Sequence, residues 1–176
     1  MRSAAVLIGL TLALPSLAAL PNGTAAPDFT AQAALGGKEF SFSLADALKK
    51  GPVVLYFYPA AFTKGCTIEA HEFADATDDF KALGATVIGV SHDPIATLDK
   101  FSVEACHSKF AVAADADQTI EKAYDAVLPS KPQYANRTSF VITPDGKIAY
   151  SYTDLDPGKH IENTMNAVKA WKAAQK

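Results

Sequence analysis

Three apolar runs in the chain are too short for helices and show no alternation of polar and apolar positions. They are residues 53–58 (VVLYFY), 86–91 (TVIGVS) and 110–114 (FAVAA). Continuous apolar runs of this length are typical of strands that are buried on both faces of a sheet. We therefore predict that these runs form central strands, of which the alanine-rich third is the weakest.

Helical spacing follows each of the first two runs. The apolar positions of residues 67–83 recur along one helix face, and Gly84 ends the pattern. After the second run, Asp93 is expected to cap a helix that has Pro94 at its first position. Three apolar residues mark the buried face of that helix: Ile95, Leu98 and Phe101. Strands and helices therefore alternate, which favours an α/β domain.

Turn residues predict a pair of strands near each end of the chain. Strand-like segments flank Gly36-Gly37 and Pro144-Asp145-Gly146. The paired segments are 26–32 with 38–43, and 138–143 with 147–153. Short helices are expected at 44–50 after a cap at Ser43 and at 121–124, and a final helix is expected after a cap at Asp156. Together these elements predict a single mixed α/β domain.

The first 18 residues differ from the rest of the chain. A charged residue, Arg2, precedes the apolar stretch AAVLIGLTLALP, and SLA before Ala19 offers a small-x-small cleavage site. We predict a signal peptide of residues 1–18, with cleavage after Ala18 or, as the near alternative, after Ala19. The remaining domain, residues 19–176, would then be periplasmic or secreted.

A membrane anchor is the alternative for this segment. Pro15 interrupts its apolar run and Pro21 follows soon after, so the continuous apolar length is short for a bilayer span. We therefore expect no membrane anchor after the signal is removed.

The charges of the chain argue against a nucleic-acid partner. Its 176 residues include 16 lysines and arginines and 19 aspartates and glutamates, a formal net charge of -3. Basic runs and basic–aromatic faces, the features of nucleic-acid binding, do not occur in the sequence. Beyond the predicted signal, Arg137 is the only arginine, and among the histidines His92 and His160 are expected at the surface.

The chain has two cysteines, Cys66 and Cys106. In an exported protein, a structural disulfide is the default expectation for such a pair. The surroundings of Cys66 favour chemistry instead, because Thr63 is a candidate N-cap that would place it in the first turn of a helix. Free backbone N–H groups and the helix dipole stabilise a thiolate there, and Lys64 adds a cation. The plain alternative is that Thr63 only caps and Cys66 only packs.

The spacing P-x-x-x-T-x-x-C after a YFYP strand, from Pro59 to Cys66, resembles the active-site motif of the peroxiredoxins. The stretch YFYPAAFTKGCTIEA is most similar to the bacterioferritin-comigratory-protein subgroup, also called peroxiredoxin Q. Matches at APDFT, VIGVS and RTSFVITPDGKI extend the resemblance over nearly all of the predicted domain. It implies a thioredoxin-like fold, with a central mixed sheet flanked by helices, and a thiol-dependent peroxidase that reduces hydrogen peroxide and alkyl hydroperoxides.

The same resemblance implies roles for individual residues. Cys66 would be the peroxidatic cysteine, and Thr63 and Arg137 would donate hydrogen bonds to the charge that develops on the peroxide. Pro59 would form one wall of the site. Glu69 stands where many relatives hold the arginine by an ion pair, although a solvated glutamate is equally consistent with the sequence. We expect no cofactor or metal, and a monomer that is reduced by a thioredoxin-like or other thiol reductant.

The chain departs from the family pattern at three positions. Lys64 replaces a proline of many relatives, and Ser139 replaces the threonine of R-x-T-F. His71 occupies the position where relatives often carry a resolving cysteine. Cys106 is then the only internal candidate to form a disulfide with oxidised Cys66. Alternatively, Cys106 is a buried free thiol and the enzyme works with one cysteine.

Three other functions are compatible with the fold. A thiol–disulfide oxidoreductase normally needs C-x-x-C, whereas Thr63 and Glu69 stand at those distances from Cys66. A copper chaperone would need paired cysteines and a histidine ligand. His71 lies about 140° around the helix from Cys66, so no metal site is predicted. A thioredoxin-like interaction protein would carry a static Cys66–Cys106 bridge.

Overall fold

The computed structural model describes residues 19–175. The predicted signal peptide, residues 1–18, lies outside the described residues, so its cleavage stays a prediction. Across residues 19–175, no helix is both long enough and apolar enough to span a bilayer.

A seven-stranded sheet forms the centre of the described protein. Its strands are β1 (Thr30–Leu35), β2 (Lys38–Ser43), β3 (Val53–Phe57), β4 (Thr86–Ser91), β5 (Ala111–Ala114), β6 (Thr138–Ile142) and β7 (Ile148–Thr153). They lie in the order β2-β1-β5-β4-β3-β6-β7. β3, β4 and β5 pair in parallel, and the other neighbours are antiparallel. The predicted mixed sheet is confirmed, and its parallel strands are the three apolar runs.

Helices pack against both faces of this sheet. They are α1 (Leu44–Leu48), α2 (Lys64–Ala82), α3 (Ile95–Glu104), α4 (Thr119–Ala123) and α5 (His160–Ala173), the last preceded by a 3-10 turn, Pro157–Lys159. Apolar side chains of α1 and α4 share one core with Leu55 and Phe57. Those of α2, α3 and α5 share the other core with Tyr56 and Tyr58. Because successive side chains of a strand point to opposite faces, β3 anchors both cores.

Two short local features agree with the sequence prediction. Gly36 and Gly37 both have positive φ, 58° and 73°, as a two-residue hairpin loop between β1 and β2 requires. Ser43 caps α1 because its side chain accepts a hydrogen bond from the Asp46 N–H. Local turn and cap chemistry therefore identified these two boundaries correctly, whereas the first strand is Thr30–Leu35 and not the predicted segment 26–32.

Asp93 does not cap α3. The helix begins at Ile95, and its N-cap is Pro94 in an extended conformation. The Asp93 carboxylate instead accepts hydrogen bonds from the Ala61 N–H at 2.7 Å and from the Ser91 hydroxyl at 2.8 Å. The predicted cap is wrong because this carboxylate ties the loop after β3 to the end of β4.

Candidate active site

Cys66 lies where the chain passes from β3 into α2. The helix begins at Lys64, with Thr63 as its N-cap. The Thr67 N–H donates to the Thr63 carbonyl oxygen at 2.9 Å. The N–H groups before Thr67, including that of Cys66, therefore have no partner within the helix. Cys66 is only 1% exposed. As predicted, the thiol lies in the first turn, where the helix dipole stabilises a thiolate.

The Arg137 guanidinium contacts this thiol. Nη2 lies 3.4 Å from Cys66 Sγ, and Nη1 pairs with Glu69 Oε2. Nε donates to the Leu155 carbonyl oxygen at 2.9 Å. Burial acts to lower the pKa of Arg137, but the negative charges of Glu69 and Cys66 outweigh burial and raise the pKa. Arg137 is thus a fixed and permanent cation beside the sulfur.

Gly65 makes room for that guanidinium. A Cβ at this position would lie 3.1 Å from Arg137 Nη2. Gly65 does not have a positive φ, so a glycine is needed here because of packing and not because of backbone conformation. Sequence patterns do not single it out as a site residue. The one available signal is a glycine in the first turn of a helix, where its low helix propensity calls for a reason.

Glu69 lies one turn after Cys66 on α2 and is fully buried, so the alternative of a solvated glutamate is wrong. Burial raises the pKa of Glu69 to about 8, and the Arg137 guanidinium acts against that rise. Oε2 holds Arg137, whereas Oε1 has no hydrogen-bond partner among the described residues. Glu69 therefore orients Arg137 although burial disfavours its own charge.

His160 lies behind Glu69 and is fully buried, so its expected surface position is wrong. It is the first residue of α5, which packs on β6 and β7. Nδ1 lies 2.8 Å from Ser139 Oγ, and Nε2 lies 2.9 Å from the Asp154 carbonyl oxygen. Burial lowers the pKa of His160 to about 4, so the imidazole is neutral at physiological pH. These partners belong to β6 and to the loop after β7, which the local pattern around His160 does not reveal.

Thr63 and Pro59 lie in the loop before α2. The Thr63 hydroxyl is exposed, makes no capping bond and donates to the Ala60 carbonyl oxygen at 3.0 Å. In this structure the Thr63 proton is used by that carbonyl, so the expected donation from Thr63 to a peroxide stays a prediction. Pro59 is half-buried.

Cys106 is the second free thiol and is fully buried. It follows the end of α3 and lies in the same apolar core as Cys66 and Tyr58. Burial raises the pKa of the Cys106 thiol well above its usual value. Both cysteines are free thiols enclosed in one core, an arrangement that differs from a static bridge between them.

His71 and His107 stack on each other, with ring centroids 4.7 Å apart and planes at 24°. His71 lies on α2, and His107 directly follows Cys106. His107 and Ser108 both have positive φ, 49° and 56°. This conformation is strained in residues other than glycine, so the segment after Cys106 is a strained part of the backbone.

A cavity of about 470 Å³ lies away from this chemistry. Its lining includes Phe40, Ala47, Val87 and Phe110, and none of the predicted site residues. It lies near the starts of β4 and β5, whereas Cys66 follows the end of β3. Among residues 19–175, no group of three or more His, Cys, Asp or Glu side chains is placed to hold a metal ion.

Comparison with known proteins finds relatives over most of the chain. Residues 22–151 match the AhpC/TSA family. The putative peroxiredoxin YkuU of Bacillus subtilis (strain 168) is 32% identical over 173 residues, which cover 88% of this chain and 96% of that protein. The putative chloroplastic peroxiredoxin Q of Oryza sativa subsp. indica is 31% identical over 175 residues, 91% of this chain and 78% of that protein. The crystal structure of peroxidoxin BcpB from Mycobacterium tuberculosis has a TM-score of 0.76 and 30% identity, over 85% of this chain and 96% of that chain.

The chain belongs to the AhpC/TSA family, with the thioredoxin-like fold of its solved relatives. Its similarity to peroxiredoxin Q and to the Bcp proteins places it in the subgroup that the motif around Cys66 predicted. The protein is therefore a thiol-dependent peroxidase, and a non-catalytic interaction protein or a thiol–disulfide oxidoreductase is not favoured.

Proposed function

We propose that Cys66 is the peroxidatic cysteine and that the substrates are hydrogen peroxide and alkyl hydroperoxides. The observation that carries this proposal is the 3.4 Å contact between Cys66 Sγ and Arg137 Nη2. A thiolate at this position has a permanent cation and free helix N–H groups beside it. Burial disfavours the Cys106 thiolate, so Cys106 is not the first nucleophile.

In the proposed first step, the Cys66 thiolate attacks one oxygen of the peroxide. An S–O bond forms, the O–O bond breaks, and the leaving oxygen takes a proton to become water or an alcohol. The sulfur is oxidised by two electrons to a sulfenic acid. Negative charge spreads along S···O···O, and Arg137 and the Cys66 N–H are the donors that stabilise it. Thr63 joins them when its hydroxyl turns away from the Ala60 carbonyl oxygen.

In the proposed second step, Cys106 resolves the oxidised cysteine. The Cys106 thiolate attacks the Cys66 sulfur, an S–S bond forms, the S–O bond breaks, and the hydroxide that leaves takes a proton to become water. A thioredoxin-like or other thiol reductant then reduces the disulfide and is itself oxidised. Because both thiols are buried on different elements, the first turn of α2 and the segment after α3 unwind for the bond to form. The left-handed backbone at His107 and Ser108 supports unwinding there.

The proposal extends to the export and the assembly of the enzyme. A signal peptide of residues 1–18 directs the chain out of the cytoplasm, and the remaining domain acts as a periplasmic or secreted monomer. The support for export is the charged start, the apolar stretch and the small residues before Ala19. N-terminal sequencing of the periplasmic fraction tests the cleavage site, and sedimentation velocity tests the monomer.

Peroxide consumption by the reduced protein with a dithiol donor tests the peroxidase proposal. Wild type should turn over, and Cys66→Ser should abolish consumption. Cys106→Ser is the matched control, because it removes the other thiol but leaves the first reaction with peroxide intact. Equal consumption by wild type and Cys66→Ser would contradict the assignment of Cys66.

A further inference from the structure

A buried row of side chains extends from the thiol into the protein. It runs from Cys66 through Arg137 and Glu69 to His160. The last contact joins Glu69 Oε1 and His160 Nδ1 over 3.8 Å. Arg137, the most accessible of the four, is only 4% exposed. The mechanism above uses Cys66 and Arg137, and Glu69 orients Arg137, whereas His160 has been given no part.

Hydrogen-bond chemistry determines which nitrogen of His160 carries the hydrogen. Nε2 lies 2.9 Å from the Asp154 carbonyl oxygen, which only accepts, so Nε2 is the donor. In the neutral ring Nδ1 is then an acceptor, and the Ser139 hydroxyl donates to it at 2.8 Å. Nδ1 therefore carries no proton, and this partly negative nitrogen lies 3.8 Å from Glu69 Oε1.

This arrangement disfavours a negative charge on Glu69. Its Oε1 has no hydrogen-bond partner among the described residues, and the His160 nitrogen 3.8 Å away is an acceptor. A carboxylate in such surroundings is unfavourable, whereas a carboxyl group with its proton on Oε1 is favoured. A protonated Glu69 still accepts from Arg137 through Oε2 and leaves the charge of the guanidinium uncancelled.

We propose that His160 is a positioning residue that keeps the proton on Glu69, so that Arg137 stays oriented and its full positive charge acts on Cys66. This inference rests on the peroxidase function proposed above. Besides Cys66, several titratable groups face Glu69 and His160: Tyr56, Glu72, Arg137, Tyr152, Asp154 and Asp156. Of these groups, Arg137 alone favours a negative charge on Glu69, and burial of the carboxyl group opposes that charge.

Two substitutions separate the two nitrogens of His160. In His160→Asn, the amide oxygen can take the place of Nδ1 and accept from Ser139. In His160→Gln, the amide reaches the position of Nε2 and the Asp154 carbonyl oxygen, and the position of Nδ1 stays empty. At neutral pH, the rate constant for oxidation of the reduced enzyme by hydrogen peroxide should fall about tenfold in His160→Gln, less than the loss of a whole donor. It should stay close to wild type in His160→Asn.

The effect of His160→Gln should also be measured in a protein that carries Glu69→Gln, because this comparison tests whether His160 acts through the Glu69 proton. In Glu69→Gln the amide oxygen still accepts from Arg137, but the group is neutral without a proton. In this background His160→Gln should cause no further loss of rate, because the two changes act through the same proton. An equal loss in both backgrounds would show that His160 acts through packing and would overturn the inference. Thr164→Val is the matched packing control, since Thr164 is buried one turn further along α5 and bonds only to backbone carbonyls, and its rate should equal that of wild type.

A second measurement needs no change at His160. The ratio of the oxidation rates of Glu69→Gln and wild type should not change with pH well below pH 8, where Glu69 keeps its proton. It should rise above pH 8, where Glu69 loses its proton and cancels the charge of Arg137. A ratio that stays constant across this range overturns the inference. If reduced wild type is oxidised no faster than free cysteine, the peroxidase function itself is refuted. If wild type is oxidised rapidly and His160→Gln is oxidised equally rapidly, only the inference about His160 is refuted.

Discussion

Arg137 Nη2 lies 3.4 Å from Cys66 Sγ, although 71 positions separate the two residues. The contact exists because β6, which follows Arg137, pairs with β3, which leads to Cys66. In that pairing Phe57 lies opposite Thr138, so the residue before β6 is placed beside the loop after β3. Strand register therefore assembles the cation and the nucleophile.

Arg137→Lys should slow the reaction with peroxide while leaving Cys66 in place. Lysine keeps a positive charge but lacks the planar fork that reaches Cys66, Glu69 and the Leu155 carbonyl oxygen together. We expect oxidation to slow by about 10²-fold, the scale of losing one preorganised donor. Stopped-flow oxidation of the reduced protein measures this. A rate close to that of wild type would remove Arg137 from the mechanism.

Gly65→Ala should reduce activity without reducing stability. The new Cβ would lie 3.1 Å from Arg137 Nη2 and would push the guanidinium off the sulfur. We expect oxidation to slow by about 10-fold to 10²-fold, because small displacements in an active site have effects of this size. Alanine favours the helix over glycine, so the melting temperature should stay equal or rise. Unchanged oxidation at an unchanged melting temperature would contradict the packing argument.

Glu69 should make the protein less stable as the pH rises from 4.5 to about 8. The pKa of Glu69 is about 8 in the folded protein against 4.5 for the ordinary group, so the folded state binds the proton more tightly. The contribution of Glu69 to the free energy of unfolding is fully present below pH 4.5 and is lost as the pH rises through about 8. Urea unfolding of wild type and Glu69→Gln across this range should give a steeper decline for wild type. Parallel curves would show that Glu69 does not titrate in this way.

His160 should act on stability in the opposite direction. Its pKa is about 4 in the folded protein against 6.5 for ordinary histidine, so folding favours the neutral ring. The stabilisation is present above pH 6.5 and is lost as the pH falls through 4. His160→Asn, which cannot titrate, should lose less stability than wild type on acidification, as followed by circular dichroism during urea unfolding. An identical loss of stability at acidic pH in the two proteins would contradict the prediction.

Peroxide treatment should join Cys66 to Cys106 in a monomeric disulfide. Peptide mapping without reduction should identify the bridged peptides in wild type. In Cys106→Ser, Cys66 should accumulate as a sulfenic or over-oxidised acid, or in an intermolecular dimer. Normal turnover of Cys106→Ser with thioredoxin-type reductants, together with no bridged peptide in wild type, would identify a one-cysteine enzyme.

Lys64→Pro should slow disulfide formation but not the first oxidation. Lys64 is the first residue of α2, where proline is favoured, and Thr63 before it already has the extended conformation that proline requires. The substitution should stabilise the first turn and so oppose its unwinding. Rapid quenching with a thiol-blocking reagent after a peroxide pulse separates the two steps. Lys81→Ala, at the other end of α2, is a control that leaves the first turn unchanged.

Local patterns in the sequence were sufficient to predict the central strands and the place of the thiol. The runs that became β3, β4 and β5 are apolar throughout because both faces of these strands are buried. The position of Cys66 in the first turn of α2 follows from a strand, a capping position and a helix in immediate succession. Each of these signals depends on residues that are close together in the chain.

Only the tertiary structure decided what surrounds the thiol. The sequence is equally consistent with a solvated Glu69 and predicts a surface position for His160. It gives almost no indication that Gly65 belongs to the site. Their environment depends on contacts with Arg137 and Ser139, which lie 68 positions after Glu69 and 21 before His160. Such contacts are set by strand register and by the packing of α2 and α5 against the sheet. A local pattern shows which residues favour burial or a turn, but not which distant polar groups meet once the chain is folded.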